Sequence, residues 1–370
     1  MRIPLIDLAA QYRSLKPELE EAIHKVLNAG SFILGPNVAA LEREVAAFIG
    51  AKYGVGVASG TDALVLTLRA LDIGPGDEVI VPAYTFFATA EAVMLVGAKP
   101  VFVDIKEDTY QIDTQQIPEV TTQKTRAIIA VHLFGHPVDL TALRQLAQKF
   151  NLKLIEDNAQ AFGAEYCERK TGSFGDVGCL SFFPSKNLGG YGDGGMIVTD
   201  DERVTEKVKM LRTHGWRQKY CPEIVGYNSR LDELQAAILR VKLQHVDAWN
   251  ERRRALAMVY TKLLAELEIR LPYESPRCKH VYHMYVIQLR ERDHIQAYLQ
   301  KAGIGTAVYY PRPLHLTKPC QMLGYKEGQF KVAEKASNET LAIPLYPEMT
   351  NEQQQRVMHT LARAMHATTK

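Results

Sequence analysis

Ser181-Phe182-Phe183-Pro184-Ser185-Lys186-Asn187-Leu188-Gly189-Gly190-Tyr191-Gly192-Asp193-Gly194-Gly195 is a segment that neither a helix nor a strand accounts for. An apolar run from Cys179 to Phe183 reads as a buried strand, and Pro184 extends the chain toward a single lysine. Five glycines follow within nine residues, a density that signals unusual backbone angles or a surface at close approach. Lys186 is therefore placed at a pocket wall, as a candidate imine former. A charged, glycine-rich surface loop is the competing local reading.

Upstream, Leu152 to Ile155 reads as a short buried strand ending in Glu156-Asp157-Asn158-Ala159-Gln160-Ala161-Phe162-Gly163. An acid at one strand end and a lysine after the next strand are what a pyridoxal phosphate site requires. The acid keeps a pyridine nitrogen protonated and the lysine holds the aldehyde carbon as an imine. Asp157 and Lys186 fit these two roles.

Working outward, Tyr53 to Ala58 reads as a strand that stops at Ser59-Gly60-Thr61-Asp62, with a helix from Ala63 to Leu71 behind it. A strand, a glycine turn and a helix N-terminus outline a phosphate site, which makes Gly60 and Thr61 candidates. The spacing Gly54-x-Gly56-x-x-x-Gly60 competes as a dinucleotide fingerprint, but its first two glycines fall inside the strand, not the turn. His132 and His136 are four apart yet sit at a strand end, so zinc is not expected. His280 and His283 make no better case for a metal.

These segments resemble the DegT family of nucleotide-sugar aminotransferases. The likeness is carried by Ile-Glu-Asp-Asn-Ala-Gln-Ala-Phe-Gly-Ala, by Ser-Phe-Phe-Pro-Ser-Lys-Asn-Leu-Gly and by Gly-Asp-Gly-Gly, in the family's order. It runs from Ile3-Pro4-Leu5-Ile6-Asp7-Leu8 to the Pro-Leu-Tyr-Pro at 344–347. The resemblance implies a fold-type I, aspartate aminotransferase-like α/β fold, with a mainly parallel sheet in a large domain and a smaller α+β C-terminal domain. It implies pyridoxal 5'-phosphate as cofactor and a homodimer. It also implies amino transfer from L-glutamate to a keto nucleotide-sugar on dTDP or UDP, for surface polysaccharide or glycoside biosynthesis. By the same resemblance Phe86 stacks on the pyridine ring, Gln160 bonds the ring hydroxyl, and Ser181 joins Gly60 and Thr61 on the phosphate. Asn228, in Gly226-Tyr227-Asn228-Ser229-Arg230, reaches the phosphate of the neighbouring subunit; read locally, it is a helix-entry residue. Arg230 is a candidate for a diphosphate, with a surface salt bridge as the alternative. Tyr310 and His315, in the loop Tyr309-Tyr310-Pro311-Arg312-Pro313-Leu314-His315, are candidates for the substrate side. This loop departs from the family pattern at Tyr309, where the family more often has His.

Gly192-Asp193-Gly194-Gly195 resembles the 3-amino branch of the family, and a 4-keto sugar aminotransferase is the near alternative. A sugar dehydratase branch carries His where Lys186 stands, which argues for transamination. A non-catalytic regulator of the same fold is the rival from another class, and the convergent Asp157, Lys186 and phosphate set weighs against it.

At 370 residues the chain exceeds what one core usually serves. Strand alternating with helix from 53 to 200 implies a parallel sheet covered on both faces. From about 250 helices mix with isolated strands, Met284 to Leu289 and Thr306 to Tyr310. The chain thus divides into a large domain, 1–249, and a small one, 250–370. Helices are expected over 12–29, from Pro36 to Gly50, and from Leu231 into the 260s. A formal net charge of +2 and the lack of long like-charge runs point to neither nucleic acid nor membrane as partner. The five scattered cysteines suit a reducing cytoplasm. The first residues lack a basic-then-apolar pattern and no apolar run nears ~18 residues, so neither export nor a span is expected.

Overall fold

A computed structural model of the chain describes residues 2–368. In chain order, α1 (Leu8–Ala29) and α2 (Pro36–Ile49) precede β1 (Tyr53–Val57), α3 (Gly60–Ala70), β2 (Glu78–Pro82), α4 (Ala88–Leu95) and β3 (Lys99–Val103). The one-turn α5 (Ile117–Val120), β4 (Thr125–Val131), α6 (Leu140–Phe150) and β5 (Lys153–Asp157) follow. A small hairpin, β6 (Glu165–Tyr166) and β7 (Arg169–Lys170), leads to β8 (Val177–Ser181), β9 (Gly195–Thr199) and α7 (Glu202–Leu211). A second hairpin, β10 (Trp216–Gln218) and β11 (Cys221–Pro222), precedes α8 (Glu233–Leu243) and α9 (Val246–Leu264). The chain closes with β12 (Cys278–Lys279), β13 (Tyr285–Gln288), α10 (Arg292–Lys301), α11 (Lys331–Glu339), β14 (Thr340–Ile343) and α12 (Asn351–Thr368).

The central sheet runs in the order β1-β9-β8-β5-β4-β2-β3. β9 pairs antiparallel with both its neighbours, and the remaining pairs are parallel, so β9 alone runs against the other six. A sheet buried on both faces needs apolar side chains at consecutive positions. β2 and β9 are buried at every residue, and β4 at every residue but Arg126. The connections place the carboxyl ends of β1, β2, β4, β5 and β8 along one edge, where open α/β sheets bind ligands. The glycines of the dinucleotide-like spacing serve packing. A Cβ on Gly54 would lie 2.5 Å from the Glu42 carbonyl of α2, and one on Gly56 would lie 3.1 Å from Leu231 Cβ.

The C-terminal part has its own core. Tyr285, Ile287, Leu341 and Ile343 of the antiparallel pair β13–β14 pack with Ile295 and Leu299 of α10 and with Val357 and Leu361 of α12. The expected division between 249 and 250 falls inside α9. Val246 packs in the core beneath β9, whereas Leu256, Tyr260 and Leu264 of the same helix belong to the C-terminal core. Ile3 also joins that second core and bridges to Ile304.

Local chemistry moves several expected boundaries. α1 starts at Leu8, not 12, because the Asp7 side chain caps it by accepting from the Ala10 N–H at 2.9 Å. The strand expected from Cys179 to Phe183 ends at Ser181, with the Phe182 N–H making one last bond, to the Gly194 carbonyl, in the register of the β8–β9 ladder. The long helix expected from Leu231 is two helices, with His245 between them at φ −107°, ψ −10°, well displaced from ideal helix angles. Thr306 to Tyr310 forms no strand. Only Ala307 bridges to Ala342, and the backbone at Tyr309 and Tyr310 is tied instead to the Tyr84 hydroxyl.

Candidate active site

The carboxyl ends of β1, β2, β4, β5 and β8 open into a cavity of about 420 Å3. Gly60, Thr61, Phe86, Asp157, Gln160, Ser181, Lys186 and Tyr310 all line it, although they lie up to 250 residues apart in sequence.

Its floor is set by strand parity. Successive side chains of a strand face opposite sides, so Glu156 and Asp157 at the end of β5 do different work. The Glu156 carboxylate, fully buried, accepts the N–H groups of Gly172, Phe174 and Gly175 at 2.7–2.8 Å and meets His132 Nε2 at 3.0 Å. His132 Nδ1 accepts from the Val138 N–H, which fixes the proton on Nε2, so the ring donates to Glu156. These bonds hold the Glu156 carboxyl below its usual range despite burial, and its role is to fasten the 172–175 loop. Asp157 points into the cavity. Its Oδ2 accepts from Thr89 Oγ1 at 2.9 Å and its Oδ1 from the Ala159 N–H at 3.2 Å, and neither donor is charged. Burial therefore pushes its pKa up, against the opposing pull of those donors and of Lys186.

Lys186 enters the same cavity. Burial pulls its amine down to about 8, with the Asp157 charge opposing. The loop that carries it is held by buried and half-buried side chains from elsewhere in the chain. Asn187 Nδ2 donates to Asn250 Oδ1 at 2.7 Å, Lys242 Nζ to the Gly189 carbonyl at 2.7 Å, and the Tyr191 N–H to Gln235 Oε1 at 2.7 Å. Gly189 is required: a Cβ there would sit 2.4 Å from the Pro184 carbonyl.

The rim nearest β8 is the N-terminus of α3. Ser59 caps the helix by accepting from the Asp62 N–H at 3.0 Å, and the N–H groups of Gly60 and Thr61 belong to the first turn, which has no helical acceptors. A Cβ on Gly60 would lie 2.7 Å from Ser181 Cβ, so glycine lets the helix end close directly on the end of β8. This geometry suits an anion. Phe86 is 56% exposed and flanks Tyr310, with ring centroids 5.9 Å apart. Gln160 Oε1 accepts from the Phe134 N–H and its Nε2 donates to the Tyr310 hydroxyl at 2.9 Å, which leaves one amide hydrogen.

Three expected residues are not in this wall. Asn228 is exposed and bridges to Thr213, and Arg230 is half-buried outside the cavity. Ser229 between them is tied to the α3 end, donating to Asp62 Oδ2 at 2.6 Å. His315 is a correction to the substrate-side expectation: it is fully buried behind the loop, 3.0 Å from Glu334 and edge-on to Phe330, so it braces α11. Sequence reasoning missed Thr89, Ser59 as the cap, Ser185, Asp193 and His283 in the wall, and the loop anchors Gln235, Lys242 and Asn250. Thr85 and Thr89, four apart at a helix start, gave a signal for Thr89; the others gave none.

The family model described as the DegT/DnrJ/EryC1/StrS aminotransferase family matches residues 13–362. The chain belongs to this family. The membership agrees with the resemblance seen in the motifs around Asp157 and Lys186. Among relatives of this aminotransferase, one from Acidithiobacillus ferrooxidans is named UDP-N-acetyl-3-dehydro-alpha-D-glucosamine 3-aminotransferase; it is 48% identical over 98% of each chain. A Geobacillus stearothermophilus relative, also 48% identical over 98% of each chain, is named a pleiotropic regulatory protein. The crystal structure of S. venezuelae DesV in complex with a ketimine intermediate superposes with a TM-score of 0.96, at 44% identity and 98% coverage of both chains. The architecture is thus that of a solved aminotransferase along nearly its whole length.

Proposed function

We propose that this aminotransferase binds pyridoxal 5'-phosphate and transfers an amino group from L-glutamate to carbon 3 of a keto sugar linked to dTDP or UDP. The observation that carries the reading is the pairing of a depressed amine, Lys186, with a buried carboxyl, Asp157, in one cavity rimmed by a helix N-terminus. The residues fit the cofactor: the free N–H groups of Gly60 and Thr61 with Ser181 suit its phosphate, Phe86 its ring face, and Gln160 its ring hydroxyl. When bound, the cofactor supplies an electron sink for the carbon that exchanges the amino group. Asp157 holds a proton at the ring nitrogen. Lys186, as a free amine, would move a proton to and from the carbon that exchanges the amino group. Tyr310, half-buried beside Gln160 with its pKa raised by desolvation, stays neutral.

The relative named for a 3-amino product and the Gly192-Asp193-Gly194-Gly195 sequence support the 3-amino outcome over the 4-amino one. A purified protein that is yellow and bleached by L-glutamate is expected, and this separates the enzyme from a regulator of the same fold. Incubation with 3-keto-6-deoxy sugars on dTDP and UDP should give a 3-amino product by mass and NMR analysis. Efficient formation of a 4-amino sugar from a 4-keto substrate would overturn the position assigned. A cytoplasmic setting and a role in surface polysaccharide or glycoside synthesis belong to the same proposal; among the described residues no helix is long and apolar enough to cross a membrane.

The proposal includes a homodimer in which Asn228 completes the partner's phosphate site. Its exposure outside its own cavity, beside the Ser229–Asp62 anchor, supports this. Lys186→Ala and Asn228→Ala chains should each be impaired alone. Mixed in equal amounts, half the dimers are hybrid and each has one intact site of two, so activity should return to about a quarter of wild type. No recovery despite proven chain exchange would refute the shared site.

A further inference from the structure

His283 is 1% exposed, lies in the cavity wall with Lys186, and has no part in the roles above. Its tautomer follows from its neighbour. Asn187 Nδ2 donates to Asn250 Oδ1 at 2.7 Å and to the Val281 carbonyl at 3.3 Å, so Asn187 Oδ1 is an acceptor. His283 Nδ1, 3.1 Å from that oxygen, must carry the proton. Nε2 is then a bare lone pair, buried and without a hydrogen-bond partner among the described residues. A buried acceptor left unpaired is costly, which marks it as waiting for a donor.

The strongest donor in the wall is picked out by its charge. Among the neutral groups, Gln160 Nε2 gives one of its two hydrogens to Tyr310, Ser59 caps α3, and Thr85 lies 3.5 Å from Thr89. Lys186 is the one lysine or arginine in that wall, its Nζ makes no hydrogen bond among the described residues, and it adjoins Asn187, which His283 already grips. Lys186 is also the largest charge acting on His283, ahead of Arg253 and His280; Asp157 is the charge acting on Lys186. Burial, with the Lys186 and Arg253 charges, holds the imidazole neutral, with its pKa well below the usual range.

We propose that His283 is a positioning residue for Lys186: its Nε2 accepts a hydrogen bond from the lysine ammonium whenever the amine is free. The bond parks the proton-bearing amine beside Asn187, ready for the sugar carbon. The proposal rests on the transaminase reading, in which Lys186 cycles through a free amine.

The test uses the full-length chain stripped of cofactor. Lys186 labelling by trinitrobenzenesulfonate is followed against pH by peptide mass spectrometry. An acceptor stabilises the ammonium, so its loss lowers the amine pKa and raises labelling at pH 7. His283→Asn keeps an N–H for Asn187 and removes the acceptor, and labelling should be about fivefold faster than in wild type. His283→Gln places an oxygen where Nε2 was and should return the rate toward wild type. Independently of either fold, the 15N shift of His283 Nε2 should move to that of a free acceptor in Lys186→Ala. Labelling of His283→Asn at the wild-type rate, or an unmoved nitrogen shift, overturns the proposal. A colourless protein that still shows both effects would sink the cofactor reading and leave this bond standing.

Discussion

Lys186→Ala should abolish the visible absorption of the cofactor-loaded protein and lower turnover by more than about 10⁴-fold. Proton transfer by a placed side chain alone contributes about 10²–10⁴-fold, and the covalent hold on the cofactor is lost with it. Each tenfold loss is about 1.4 kcal/mol of barrier. The chain offers no substitute: Lys186 is the one lysine in the cavity wall, and the buried Lys242 is committed to the Gly189 carbonyl. Its depressed pKa fits the role. At pH 7 about a tenth of an amine of pKa 8 is free, against roughly 3 in 10⁴ for an ordinary lysine of pKa 10.5. Because Lys186 lines the cavity and is not part of the packed core, the variant should still fold, which its thermal unfolding checks. Retention of the visible band, or turnover within tenfold of wild type, would place the reactive amine elsewhere.

The parts of this site legible in the sequence are those whose chemistry is local. The strand end at Asp157, the glycine-rich loop after Lys186 and the turn at Gly60 each carry their meaning in consecutive residues. Parity even separates Asp157 from Glu156, since alternate side chains of one strand face opposite sides. The rest depends on contacts across long stretches of chain. His283 meets Asn187 from 96 residues away and Asn250 meets it from 63, and nothing in their own neighbourhoods records the pairing. The same limit applies to Tyr309 and Tyr310. Their apolar, β-prone composition suggests a strand, but the Tyr84 hydroxyl, 226 residues away, takes the backbone N–H of Tyr310. His315 shows the opposite failure, since a loop of suggestive composition hides a side chain bonded to Glu334.

Asp157→Asn should leave the fold and cofactor binding intact and slow both half-reactions by about 10²–10⁴-fold, the range for removing a group that controls proton position. The structure explains why the damage stays chemical. The asparagine carbonyl can still accept from the Ala159 N–H, and the Thr89 hydroxyl, a donor to Asp157 now, can turn to accept from the amide. What disappears is the negative charge that favours a proton on the ring nitrogen facing it. The pH dependence separates charge from shape. Burial raises the Asp157 pKa above its ordinary value, so in wild type the anion is lost, and the rate falls, as pH drops through that raised pKa. A neutral amide has no such group to titrate, so the variant should lose the acid-side limb as well as the rate. Stopped-flow spectra of each half-reaction across pH read both features at once. Wild-type rates with an unchanged acid limb would show that Asp157 only braces α4 through Thr89, and that the cavity's electron sink needs no carboxylate.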